Sequence, residues 1–446
     1  MIRIFYIISF LFTQILFSQT DSKLYEIIDG VSAKRIEKDV IILANFRTRN
    51  TFSDTLSATE GIGAARRWIK SEFESISKDC KSCLTVFYQK DFVTTKDGER
   101  IPKDAWIVNV AAVQKGTKYP NRYIIMTGDI DSRNSDTMNY TDDAPGANDN
   151  ASGMAGTIEA ARVLSKYKFE NSIVYLGLSG EEQGLFGGKG FAEYAKKNNW
   201  EIIGVLNNDM IGNIDGVDGV IDNRTFRIFS EPTPVTETEK ERKMRRAYGG
   251  EVDGNSRQLA RYIHNVVSTY MPEMNPMMVY RLDRFGRGGH HRPFNDLGYA
   301  AVRVMEAHEN YNRQHQNIRT ENGIQYGDVI HGVNFEYAKK LTAVNAIVLA
   351  SFGWSPKEPQ NVLIGGIVAP NTILKWDKSD DDSIIGYKIY WRLTTSPQWE
   401  NSRFVGNVNT FELKGIVIDN YYFGVASVSK NGHESVVVFP KDIIRQ

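Results

Sequence analysis

The chain has 446 residues, 41% of them hydrophobic, with 54 Lys+Arg against 54 Asp+Glu. That length can bury a full core and accommodates more than one domain. The balanced charge excludes the broad basic footprint that nucleic acid or an acidic membrane surface requires, so a ligand must be held by local chemistry.

Residues 1–18 carry one cation, Arg3, followed by an apolar stretch interrupted by Thr13 and Gln14 and ending at Ser18. The stretch is too short to span a bilayer and reads as a secretory signal peptide, which predicts a secreted or periplasmic protein. No later segment has the length and apolar purity of a membrane span. Residues 58–76 place Ile62, Ala65, Trp68, Ile69 and Phe73 at helical spacing, predicting an amphipathic helix. Cys80 and Cys83 follow as the only cysteines. In an exported protein the C-x-x-C spacing, between a helix and a strand and without a second pair, predicts a small structural disulfide.

Apolar strands are predicted at 84–88, 106–113, 123–126, 173–178, 202–206 and 300–304, with helices at 151–167, 188–197, 256–270 and 331–352 interspersed. This alternation implies an α/β fold, a mainly parallel mixed sheet with helices on both faces. Ligands of such sheets gather beyond the carboxyl ends of the strands. Asp129, the pair Glu181 and Glu182, and Asp209 each follow a different strand and so reach the same edge. After Pro356 and Pro359 the pattern changes to short alternating strands around Trp376, Tyr387 and Tyr421, which predicts a small all-β sandwich over 356–446 after a larger α/β domain over 19–355.

Four segments carry the chemistry: GANDNASG around Asp149, GEEQGLFG around Glu181 and Glu182, NNDM around Asp209, and NYNRQHQ around His315. Asp149 lies where a Gly-rich turn meets a helix start, with Asn150 or Ser152 as caps, and alone it would read as a turn residue. Adjacent side chains diverge at a strand end, so one of Glu181 and Glu182 can ligate a metal while the other faces a water molecule. A carboxylate ligand beside a carboxylate base is what metal-assisted hydrolysis requires.

From about residue 27 to 352 these motifs resemble the M28 family of zinc metallopeptidases, and the terminal segment resembles a fibronectin type III module. The first resemblance implies two zinc ions about 3.5–4 Å apart. Asp149 would bridge them, Glu182 and His315 would complete one, Asp209 would serve the other, and Glu181 would be the general base. It implies peptide or protein substrates, most often through aminopeptidase activity. The family places Gly-His-x-Asp-Ser where this chain has Gly128-Asp129-Ile130-Asp131-Ser132. An Asp at 129 is an ordinary zinc ligand, yet it offers Asp131 no imidazole N–H. Three outcomes follow: Asp129 binds zinc with Asp131 protonated or re-paired, the first site takes a harder ion, or it stays empty. His290 and His291, in GRGGHHRPF, correspond to the family segment lining the substrate pocket, and His308 competes with His315 as the last ligand. Two other functions remain open, a glutaminyl cyclase-like transferase and an inert binding protein built on a degraded site; no partner is implied for the terminal module.

Overall fold

The computed structural model describes residues 20–249 and 253–445; the expected signal peptide lies outside the described residues. Eight strands form one mixed sheet: β1 (Leu84–Val93), β2 (Ala105–Gln114), β3 (Tyr119–Asp129), β4 (Asn171–Leu178), β5 (Glu201–Asn208), β6 (Thr225–Ser230), β7 (Asn275–Val279) and β8 (Ala301–Glu306). Their order is β1-β2-β4-β3-β5-β8-β6-β7. The centre, β4-β3-β5-β8, is parallel. β2 joins β4 and β6 joins β8 in antiparallel fashion. The sheet is therefore parallel at its core and antiparallel where its flanks attach.

Alternating side chains feed two apolar layers. Ile124, Met126, Ile173, Tyr175, Leu206, Val302 and Val304 face the larger cluster, which the helices Ala33–Ala44, Gly61–Asp79, Gly153–Leu164, Asn255–Tyr270 and Phe335–Gly353 complete. Ile125, Val174, Leu176, Val205 and Ala301 face the smaller one, closed by the helices Phe186–Lys197 and Arg292–Asp296. All eight positions of β4 are buried, as its unbroken apolar run predicts for a strand covered on both sides.

The six predicted strands and the five predicted helices are present, most of the strands extended by one to five residues. Two strands of this sheet were missed. β6 carries Arg227 within TFRIFS, and β7 carries Pro276, a residue tolerated because β7 is an edge strand. Residues 231–238 lead into the exposed helix Glu239–Tyr248, whose start is fixed by a reciprocal Thr238–Glu241 cap. Cys80 and Cys83 are bonded to each other at the end of the helix Gly61–Asp79.

A hairpin, β9 (Arg319–Glu321) and β10 (Ile324–Tyr326), follows the His315 loop. Beyond it the C-terminal region holds β11 (Leu363–Gly365), β12 (Thr372–Lys375), β13 (Ile384–Leu393), β14 (Asn401–Gly406), β15 (Thr410–Leu413), β16 (Tyr421–Ser429) and β17 (Asp442–Ile443). They form two sheets, β15-β12-β11-β17 and β14-β13-β16, around one cluster that includes Leu374, Trp376, Tyr387, Ile389 and Val425. The aromatics singled out in the sequence thus serve packing. Arg392 on β13 donates to Asp253 at 2.8 and 2.9 Å, and Arg122 on β3 pairs with Glu358 at 2.6 Å, so polar contacts tie this region to the larger one. Among the described residues no helix is long and apolar enough to cross a membrane.

Candidate metal centre

β4, β3 and β5 are parallel neighbours, so their carboxyl ends coincide and bring Glu181, Glu182, Asp129 and Asp209 to one edge. Asp129 is the last residue of β3 itself. Asp149 reaches the same place from the turn 147–152, where Asp149 and Asn150 leave helical geometry before the helix Gly153–Leu164 begins. The turn is held from below. Asp328 accepts from the amides of Asn148 at 2.8 Å and Asp149 at 2.6 Å, and Arg49 donates to Gly146 O at 2.9 Å and Ile130 O at 2.9 Å. Ser152 holds the N-cap position without a side-chain cap bond; Asn150 Oδ1 instead accepts from Gly153 N at 3.1 Å.

Three side chains converge. His315 Nε2 lies 3.0 Å from Asp149 Oδ2 and 3.0 Å from Glu182 Oε1, and one ligand atom from each residue lies within 4.8 Å of the others. Bonds of about 2.0–2.2 Å in a tetrahedral zinc site separate ligand atoms by about 3.3 Å, so this mixed nitrogen and oxygen set fits zinc with small adjustments. His315 holds its place at a backbone φ of 56°, a left-handed conformation uncommon for a residue with a side chain. Burial disfavours its imidazolium, but the charge of Glu182 and the bond to Asp149 outweigh that and raise it to about 9. Burial likewise works against ionised Asp149, yet its bonds to His315 and Gln314 pull it well below the usual carboxylate range. Arg133, not singled out in the sequence, flanks the cluster, with Nε 3.1 Å from Glu182 and Nη2 2.8 Å from His315 Nδ1. His308 is elsewhere, 3.7 Å from Asp218.

The two remaining expected ligands are not part of this convergence. Asp129 Oδ1 is 2.6 Å from His290 Nδ1, and its Oδ2 accepts from Asn150 Nδ2 at 2.8 Å. Burial pushes Asp129 up to about 8 and His290 down to about 4, so one hydrogen shared between them satisfies both. Asp209 Oδ2 is 2.6 Å from Arg303 Nη2, and burial, against the charge of Arg303, raises it to about 7.

His290 and His291 were expected to line a pocket. Both are fully buried instead: His290 serves Asp129, and His291 Nε2 donates to Leu282 O at 2.8 Å. Asp131 has found new partners, accepting from the amides of Glu181 and Glu182 at 3.2 Å each; burial and the charge of Glu182 raise it to about 7. Deprived of an imidazole, it orients the Glu181-Glu182 turn. The Glu181 carboxylate accepts no hydrogen bond from the described residues, and burial together with the charges of Glu182, Asp209 and Asp129 raises it well above its ordinary value. A cleft of about 970 Å³ bordered by Thr51, Arg66, Trp106 and Tyr140 contains none of the converging ligands. It touches the site only from behind, where Thr51 Oγ1 accepts from Gly180 N.

A family model, peptidase family M28, matches residues 109–332. A probable zinc metalloprotease of the fungus Pyrenophora tritici-repentis is 38% identical over 423 residues, covering 94% of this chain and 98% of that protein. The chain belongs to peptidase family M28, the zinc metallopeptidases its motifs resemble. Among solved structures, the LapA aminopeptidase of Legionella pneumophila superposes with a TM-score of 0.55 at 17% identity, over 75% of this chain and 76% of that one. A glutaminyl cyclase of Macrostomum lignano does so with a TM-score of 0.50 at 14% identity, over 74% and 92%. At such identities the likeness is one of fold.

Proposed function

We propose that this chain is an exported zinc aminopeptidase acting on peptides or proteins, with zinc held by Asp149, Glu182 and His315 and with Glu181 as the general base. The carrying observation is the approach of His315 Nε2 to both carboxylates immediately beside a glutamate whose own carboxylate is free. Zinc at such a site supplies Lewis acidity, polarising a carbonyl oxygen and lowering the proton affinity of water. The protein does the rest. Glu181 takes the proton of the attacking water and returns it to the departing amine; its raised proton affinity suits both transfers. Asp131 fixes the turn that aims Glu181, through the two amides it accepts from. Export rests on the leader at 1–18, and the terminal region, with its two sheets around Trp376 and Tyr387, is assigned to a fibronectin type III-like module.

Replacing Glu181 by Gln should lower kcat by about 10²–10⁴-fold with zinc retained on the protein; an unchanged kcat would remove Glu181 from the mechanism. A second reading, acyl transfer of the glutaminyl cyclase kind, is favoured by the single three-residue ligand set. Incubation with a Gln-initiated peptide separates the two: free glutamine marks hydrolysis, ammonia without it marks cyclisation.

A further inference from the structure

Five acids, Asp129, Asp149, Glu181, Glu182 and Asp209, crowd one edge of the sheet, yet only Asp149 and Glu182 join a histidine in a ligand cluster. The others need a different source of positive charge, and Arg303 supplies it. On β8 this residue pairs in register with Asn207 on one side and Phe229 on the other. Val302 and Val304 face the larger apolar layer, so alternation turns Arg303 to the opposite face of the sheet. Its side chain is fully buried, and Nη2 stands 2.6 Å from Asp209 Oδ2.

The guanidinium is also anchored from behind. Nη1 donates to Gly288 O at 2.7 Å and lies 3.3 Å from Asp283 Oδ2. Asp283 meets Arg284 at 3.3 Å, and Arg284 pairs with Glu309 at 3.0 Å. This ladder of alternating charges gives Arg303 no room to withdraw from Asp209. Asp129 is closed off as well, one oxygen taken by His290 and the other by Asn150, which at the same time holds Asn208 O at 2.7 Å and accepts from Met210 N at 3.1 Å. A divalent ion between Asp129 and Asp209 would have to displace a buried hydrogen-bond pair and sit against a fixed cation, which a water-poor interior penalises severely.

We infer that this enzyme carries one zinc ion, at Asp149, Glu182 and His315, and that the Arg303 guanidinium occupies the role of a second cation by holding Asp209 in place. The inference rests on the metal reading proposed above and specifies its stoichiometry. Arg303 acts as a positioning residue that keeps the carboxylate edge neutralised without a metal.

The test is zinc content per folded chain after incubation with excess zinc and gel filtration, read by atomic emission. The wild-type protein should hold one equivalent, and its cobalt-substituted form should give an uncoupled paramagnetic resonance signal accounting for all bound metal. Arg303→Lys, which keeps the charge, should remain at one. Arg303→Gln combined with His290→Ala, verified as folded by its thermal transition, should gain a second equivalent, since Asp209 and one oxygen of Asp129 are then free to ligate, whereas His290→Ala alone should remain at one. Two equivalents on the wild type or on His290→Ala alone, or a folded Arg303→Gln/His290→Ala variant that stays at one, overturns the role given to Arg303 while leaving the three-residue site intact. No zinc at all on the wild type removes the metal reading itself and this inference with it.

Discussion

Two groups of acids share one sheet edge and behave oppositely. Asp149 and Glu182 lie on either side of a partly exposed histidine, 22% accessible, whose proton a metal ion can replace. Asp129 and Asp209 are paired with His290 and Arg303, both fully buried, and Arg303 is held further by Gly288 and Asp283. The difference lies in what completes each carboxylate. A proton shared with a reachable imidazole yields to a metal ion; a fully buried guanidinium with its own anchors, or an imidazole shut away from solvent, does not.

The largest expected effect separates the groups directly. His315→Ala should lower zinc affinity by several orders of magnitude and abolish peptidase activity, whereas Asp129→Asn should leave zinc content unchanged; equal zinc loss in both variants would erase the distinction. Next comes pH. His315 is held to about 9 in the metal-free protein, so at neutral pH a proton must leave before zinc binds. Apparent zinc affinity should therefore rise about tenfold per pH unit from 6 to 8. His290, lowered to about 4, stays neutral across that window and contributes no slope. A zinc titration flat in pH would count against His315 as the ligand.

A smaller effect probes the support beneath the working group. Asp131→Ala removes the acceptor of the Glu181 and Glu182 amides and should cost about 10–100-fold in kcat or zinc affinity. Smallest of all, His290→Ala leaves one Asp129 oxygen without its partner. It should lower unfolding free energy by about 1–3 kcal/mol, measured by denaturant titration, with one equivalent of zinc retained. Loss of zinc there would tie the two groups together.

The strands bearing the acids were legible because their apolar runs are long and buried on both faces, as in β4, and a parallel order delivers successive strand ends to one edge. The convergence of Asp149, Glu182 and His315 was accessible through the resemblance of their motifs to the family. The fate of Asp129 was not. His290 is separated from it by 161 residues, and nothing local to GRGGHHRPF distinguishes a pocket histidine from one facing a strand end. Arg303 sits within an apolar strand segment, AVRVME, where an arginine carries no local signal of its partner; Asp209 meets it only because β5 and β8 are neighbours.

By itself the sequence determined the α/β class, the sheet edge on which the acids gather, and the chemical kind of ligands available there, since these follow from periodicity and from motifs short enough to act locally. Tertiary structure alone decided which of those acids are free to hold a metal. That depends on whether a distant side chain, His315, His290 or Arg303, reaches each carboxylate, and on how firmly burial and second partners hold it there.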